Sequence, residues 1–318
     1  MELSLEKIKE ITVGALDIYK ENSKIFFDRI TKKQFEAYSK LSSSQRIACQ
    51  ATTGIRLNFF TNSSYFAFTA GKSARYELKI NGVCVNEESK ENERKEFALT
   101  KNESKITLYL SSHIRSSLIS VEVEDGAYIK PCNYDLKLLC LGDSVTQGWN
   151  SEIDYMSYAY AISENLNANS IIQGVGGSKF NPQTLDKLDF DPDIITIAYG
   201  INDANQARST EDIEQISQNC KEYLKLAKEY YPTSKIFVIT PINRIHNDEI
   251  LAYGCVRMID EIIKDHAESL GLDVIDGLKM FPHGEEYMFD NVHPNLKGFK
   301  EYGKNLTAEL KARLYKNI

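Results

Sequence analysis

A serine acts as a nucleophile only if a base takes its proton, a third group holds that base, and donors meet the charge that develops on the attacked carbonyl oxygen. Four short segments of this chain offer residues of those kinds. The first is Gly142-Asp143-Ser144-Val145-Thr146-Gln147-Gly148, directly after the apolar run Leu138-Leu139-Cys140-Leu141. If a helix begins just after Ser144, its backbone N–H can also point at an oxyanion. Alone, Ser144 reads equally well as a helix cap or turn serine. The second is Gln173-Gly174-Val175-Gly176-Gly177-Ser178. Its glycines let backbone N–H groups approach a substrate closely, although a flexible connector would look the same. The third is Tyr199-Gly200-Ile201-Asn202-Asp203. An Asn amide at a strand end can donate to a developing negative charge, an interaction worth ~3 kcal/mol; the plain alternative is a turn.

The fourth segment is Asp290-Asn291-Val292-His293-Pro294. An Asp three residues before a His can fold back onto that ring. Pro294 disfavours helical geometry at His293, which holds it at the entrance of the following helix. The alternative is an ordinary Asx turn. His113, His246 and His283 lack a carboxylate so placed, and Asp265 lies beside His266 inside a helical pattern. Side chains at i and i+1 point apart on a helix, so His266 is expected to be a surface helix residue. The glycines lack GxGxxG spacing and no GxxxxGK[ST] run occurs, which weakens any nucleotide-binding reading.

Two rhythms must position these residues. From about Lys24 to Val123 the apolar residues alternate: Ile55, Leu57 and Phe59; Tyr76, Leu78 and Ile80; Ile106, Leu108 and Leu110; Ile119, Val121 and Val123. Period two reads as strands with one buried face. Asn81-Gly82 supplies a tight type I′ hairpin turn between two of them. The expectation is an antiparallel, all-β, jelly-roll-like sandwich over residues 1–133. From 134 to 318 the runs become continuous: Leu138–Leu141, Ile194–Ala198 and Ile236–Ile239, with weaker ones at Leu272–Ile275 and Ser170–Ile172. Such runs fit parallel strands buried on both faces. Between them Tyr158, Ile162 and Leu166, then Ile213 to Ala227, then Val256 to Ala267, follow a helical period. The expectation is a doubly wound α/β domain, in which ligands sit beyond the carboxyl ends of the strands. The first three segments fall there.

The chain has 318 residues, enough for two domains, and a formal net charge of −7, a poor match for nucleic acid. The six cysteines form no CxxC pair, so free thiols are preferred to a zinc site or a disulfide framework. No window reaches the ~20 apolar residues of a membrane span. The first residues carry no basic region followed by an apolar core, so a cytoplasmic location is expected, with secretion open if a leader has been lost.

The four segments in this order resemble the SGNH (GDSL-type) hydrolase superfamily over roughly residues 137–312. The resemblance implies a flavodoxin-like three-layer domain with Ser144 as nucleophile, His293 as base and Asp290 as its orienting carboxylate. It implies an oxyanion hole of the Ser144 N–H, the Gly177 N–H and the Asn202 amide. An off-by-one glycine register would put Gly176 in place of Gly177. Val145 stands where the family name has Leu; both are apolar. No metal or organic cofactor is implied. A β-sandwich ahead of such a domain resembles bacterial carbohydrate esterases, so the expected activity is hydrolysis of small acyl esters, acetyl first, on carbohydrates through an acyl-enzyme. The alternatives are a lipase or lysophospholipase and a non-catalytic sugar-binding protein. The expected partner is a small-molecule or oligosaccharide ester, without nucleic acid or membrane; a homo-oligomer is left open. Trp149, the only Trp, could wall the acyl pocket or pack at the domain seam. Phe59, Phe60, Tyr65, Phe66 and Phe68 fall at strand spacing and read as core rather than sugar platforms.

Overall fold

The computed structural model describes residues 1–100, 102–242 and 256–315. His246 and Cys255 lie outside them. The chain forms two compact units, one of residues 1–30 and 50–134, the other of residues 31–49 and 135–318.

The first unit holds two antiparallel sheets. One runs in the order Thr12–Val13, Arg56–Thr61, Ser104–Leu110, Ala74–Ile80, Val83–Ser89, with Ile129–Pro131 also paired to Arg56–Thr61. The other runs Asp17–Glu21, Lys24–Asp28, Ser117–Val123, Tyr65–Ala70, Arg94–Ala98. Leu57, Phe59, Tyr76 and Leu108 of the first sheet share one buried cluster with Phe27, Phe66, Phe68 and Val121 of the second. The hairpin at Asn81-Gly82 has φ of 52° and 84°, the left-handed pair that a type I′ turn requires. Strand Arg56–Thr61 departs from simple alternation, because Arg56 and Asn58 are buried as well as Leu57 and Phe59. Asn58 sits there with its carboxamide satisfied: it accepts from Thr107 Oγ1 at 2.9 Å and donates to Tyr134 at 2.7 Å.

The second unit is built on five parallel strands: β1 (Leu136–Gly142), β2 (Ala168–Gly174), β3 (Ile194–Ala198), β4 (Lys235–Ile239) and β5 (Asp273–Ile275). Their order is β2-β1-β3-β4-β5, that of flavodoxin-like doubly wound sheets. The register decides what meets at the carboxyl end. Gly142 pairs with Gly174 on one side and with Ala198 on the other. Three strands therefore end level, ~4.8 Å apart, and the segments that follow them emerge side by side.

The helices of this unit include α1 (Lys32–Leu41), α2 (Ser43–Cys49), α3 (Ser144–Gln147), α4 (Tyr158–Asn165), α5 (Ile201–Gln206), α6 (Thr210–Tyr230), α7 (Val256–Ser269) and α8 (Leu296–Leu314), with a further single turn at Gly277–Met280. Helices α4 and α8 meet through Tyr158 and Tyr302, whose ring centroids lie 5.1 Å apart.

The division expected between residues 133 and 134 changes in one important respect. Residues 31–49, read as part of an all-β stretch, are the helices α1 and α2 and belong to the second unit. Polar contacts hold them there. Gln34 and Gln173 exchange amide hydrogen bonds at 2.9 and 3.1 Å, and Thr31 Oγ1 donates to Asp186 at 2.8 Å. Thr31 and Gln34 also form a capping box that starts α1.

Candidate active site

Strand β1 delivers the first segment. Asp143, the residue after it, caps α3 by accepting from the Val145 N–H at 2.9 Å, so the helix begins at Ser144 itself. Gly174 at the end of β2 allows α3 to lie against that strand: a Cβ there would sit 2.3 Å from the Gln147 backbone nitrogen.

The fourth segment meets Ser144 across 149 residues of chain. Ser144 Oγ lies 2.9 Å from His293 Nε2, and His293 Nδ1 lies 2.8 Å from Asp290 Oδ2. The other Asp290 oxygen accepts from the backbone N–H groups of Val292 and His293, both at 2.7 Å. The loop thus folds the carboxylate back onto the ring. Partial burial pushes the Asp290 carboxyl up, but its bonds to the His293 ring and to these two N–H groups outweigh that and hold it below the usual carboxylate range. A proton on Nδ1, shared with Asp290, leaves Nε2 as an acceptor facing Ser144; this tautomer is assigned from the hydrogen bonds.

In the glycine segment the backbone N–H groups are used unequally. The Val175 N–H donates to Gly142 O at 2.9 Å, and the Ser178 N–H to Val175 O at 3.1 Å. The Gly176 N–H donates to Gln147 Oε1 at 2.8 Å. The Gly177 N–H meets no acceptor among the described residues. Gly177 is therefore the residue of this segment with a donor to offer, and its φ of +76° is one that glycine adopts without strain. A Cβ on the preceding Gly176 would lie 4.0 Å from the Ser144 Cβ, which places this loop against the serine.

Asn202 is the second residue of α5. One amide hydrogen goes to Ser178 O at 3.0 Å, which leaves the other to donate and ties the Asn to the Gly177 loop. Trp149 follows α3, with its N–H on Ser144 O at 2.9 Å and its side chain 40 % exposed. It does not line the large cavity described below.

Beneath the site are two buried carboxylates, Asp143 and Asp203. Burial, with Asp203 nearby, pushes Asp143 up to about 7. Burial pushes Asp203 to about 7 as well, against an opposing pull from Lys179 and the Phe180 N–H. His266 differs from the surface position expected for it. It is half-buried, with Nε2 2.8 Å from Ser217 Oγ of α6.

Beside Gly177 opens a cavity of about 630 Å³, within the 300–1,000 Å³ typical of ligand pockets. Gln45, Asn181, Gln183, Gln206, Asn219 and Lys179 are among its lining residues, beside Tyr38, Leu41 and Phe180; Ser144 and His293 are not. No carboxylate is among its described lining residues. Two glutamines that the sequence did not single out hold the neighbouring loop. Gln147 belongs to the Ser144 segment and was within sight of the motif; Gln45, on α2, donates to Gly177 O at 3.0 Å and carries no motif signal at all. Among the described residues no cluster of three or more His, Cys, Asp or Glu could hold a metal ion, Cys49, Cys84, Cys132, Cys140 and Cys220 are free thiols, and no helix is long and apolar enough to cross a membrane.

Comparison with known proteins adds the following. A family model described as GDSL-like Lipase/Acylhydrolase matches residues 140–300, about half of the chain. An acetylxylan esterase of Xylanibacter ruminicola is 24% identical over 220 residues, which are 55% of this chain and 43% of that protein. The chain thus matches less than half the length of this curated relative. Among solved structures, a salicylyl-acyltransferase, SsfX3, from a tetracycline biosynthetic pathway superposes with a TM-score of 0.82 at 16% identity, covering 96% of this chain and 94% of that one. A family two carbohydrate esterase from Clostridium thermocellum, solved with cellohexaose, gives 0.65 at 16% identity, covering 83% of this chain and 94% of that one. At such identities these likenesses speak for the fold.

Proposed function

The chain belongs to the GDSL-like lipase/acylhydrolase family, and from that premise we propose that it is a serine esterase that removes small acyl groups, acetyl first, from carbohydrates. The observation that carries this reading is the chain Ser144 Oγ···His293 Nε2, His293 Nδ1···Asp290, facing a loop whose one open N–H is that of Gly177.

His293 takes the Ser144 proton as Oγ attacks the ester carbonyl. The oxyanion lies between the N–H groups of Ser144 and Gly177 and the free amide hydrogen of Asn202. Collapse expels the alcohol, which takes its proton from His293 and leaves an acyl-serine. Water then loses a proton to His293 and attacks the acyl group; His293 returns that proton to Ser144 Oγ as the acid leaves. Asp290 keeps the ring in the productive tautomer and steadies its charged form.

The carbohydrate part of the reading rests on the acetylxylan esterase relative, on the carbohydrate esterase fold neighbour and on the cavity beside Gly177. An acetyl group is far too small to fill 630 Å³, and carboxamides suit a neutral, polyhydroxylated alcohol. We read the two antiparallel sheets of the first unit as the jelly-roll-like sandwich that accompanies such esterase domains. A second reading, transfer of the acyl group to an acceptor other than water, is favoured by the likeness to the acyltransferase and needs only that the acceptor outcompete water at the acyl-serine.

Ser144→Ala should lower acetate release from acetylated xylo-oligosaccharides and p-nitrophenyl acetate by about a million-fold while the protein stays folded. Retained turnover would overturn the assignment. In the wild type, p-nitrophenyl esters should be cleaved faster at C2 than at C8; the reverse order would restore the lipase alternative.

A further inference from the structure

We infer that Gln45 is a positioning residue for the Gly177 N–H, so that a helix about a hundred residues ahead of Ser144 sets the geometry of the oxyanion hole; the inference rests on the esterase reading above. An oxyanion donor is useful only if it is already aimed when the charge appears. The Gly177 N–H belongs to the peptide unit between Gly176 and Gly177, and it has no partner of its own among the described residues to aim it. Both neighbouring peptide units are pinned instead. On one side the Gly176 N–H is held by Gln147 Oε1 at 2.8 Å. On the other, Gly177 O accepts from Gln45 Nε2 at 3.0 Å, which completes the hold on a peptide unit whose Ser178 N–H donates to Val175 O at 3.1 Å. The next carbonyl, Ser178 O, accepts from Asn202 at 3.0 Å. With its neighbours fixed, the central peptide can turn only by coupled rotation about ψ of Gly176 and φ of Gly177. Glycine at both positions would otherwise leave those rotations cheap.

Gln45 can do this because it is itself fixed. It is 8 % exposed, and its backbone N–H is accepted by Ser42 Oγ at 3.1 Å at the start of α2. Helix α1 just before it is tied to β2 by the reciprocal Gln34–Gln173 pair and to Thr184 O at 3.0 Å. Strand β2 in turn leads into the glycine loop. Helix α2 and the loop it steadies therefore share one support, and the donor distance is set within unit two alone.

Gln45→Met keeps the side-chain volume and removes the donor. Gln45→Glu also cannot donate when ionised and places a negative charge near the developing oxyanion. We expect kcat for p-nitrophenyl acetate to fall about tenfold in Q45M and further in Q45E, with KM within twofold and an unchanged thermal midpoint. The affinity of a boronic acid that mimics the tetrahedral intermediate should fall in the same proportion as kcat. Gln45→Asn, polar but one methylene too short, should repeat the loss if Q45M folds poorly. Wild-type kcat in these variants, or a loss confined to KM, would overturn the inference while Ser144→Ala still tests the esterase reading. Amide relaxation decides it without activity: exchange broadening at Gly177 in Q45N, against a rigid wild type, sustains it, and equal relaxation overturns it.

Discussion

Two serine–histidine pairs lie in the same unit, and they have almost the same contact distance. Ser144 Oγ is 2.9 Å from His293 Nε2, and Ser217 Oγ is 2.8 Å from His266 Nε2. Everything around the contact differs. His293 has Asp290 on its other nitrogen; His266 has no carboxylate within hydrogen-bond distance among the described residues. Ser144 opens a helix at a strand end, opposite an unpaired Gly177 N–H. Ser217 sits in the body of α6, where backbone N–H groups are spent on the helix. Burial first, then Lys221, lowers the pKa of His266, which favours its neutral form. A hydroxyl beside an imidazole is thus not a reactive site. On the esterase reading proposed above, the third group and the waiting donors are what would separate a nucleophile from a structural hydrogen bond.

The contrast can be broken at each of these points. The largest effect belongs to the base: His293→Ala should cut kcat about a million-fold, and Asp290→Asn, which leaves the ring in place but disturbs its tautomer, about 10⁴-fold. Initial rates on p-nitrophenyl acetate, with circular dichroism to show an intact fold, check both. A smaller loss, about 10²–10³ in kcat with little change in KM, is expected for Asn202→Ala, because only a transition-state donor is removed. A change confined to KM would move Asn202 from the oxyanion to substrate binding.

The smallest effect belongs to the second pair. His266→Gln should leave kcat within twofold and act only on stability. A histidine whose folded pKa is depressed binds fewer protons folded than unfolded, so its contribution to stability is present above the unfolded value and is lost as pH falls through the folded one. The Gln variant should therefore show a shallower loss of thermal midpoint on acidification below about pH 6.5. A fall in kcat beyond tenfold would erase the contrast between the pairs.

Much of the site was legible before any coordinates. The run Asp290 to His293 encodes its own geometry, since three residues are enough for a carboxylate to accept from the local backbone and reach the ring. The continuous runs around Leu138, Ile171, Ile195, Phe237 and Val274 all lie in parallel strands, because burial on both faces leaves that mark on composition. Other features were not legible. Thr31 to Cys49 carries a capping box and helical spacing, yet the strand-rich stretch around it drew it into the wrong unit. His266 looked exposed because its partner, Ser217, comes from another helix.

Composition and periodicity by themselves determined a parallel α/β unit with Ser144, the Gly174–Gly177 segment and Asn202 after its strands and His293 with its carboxylate before the last helix. Those are local facts, set by side-chain burial and by contacts a few residues apart. Only tertiary structure decided which glycine keeps a free N–H, since the answer depends on Gln147 reaching Gly176 from α3 and Gln45 reaching Gly177 from α2. Hydrogen-bond satisfaction is settled by whichever groups arrive in space, and no spacing rule along a chain can register a partner 132 residues away.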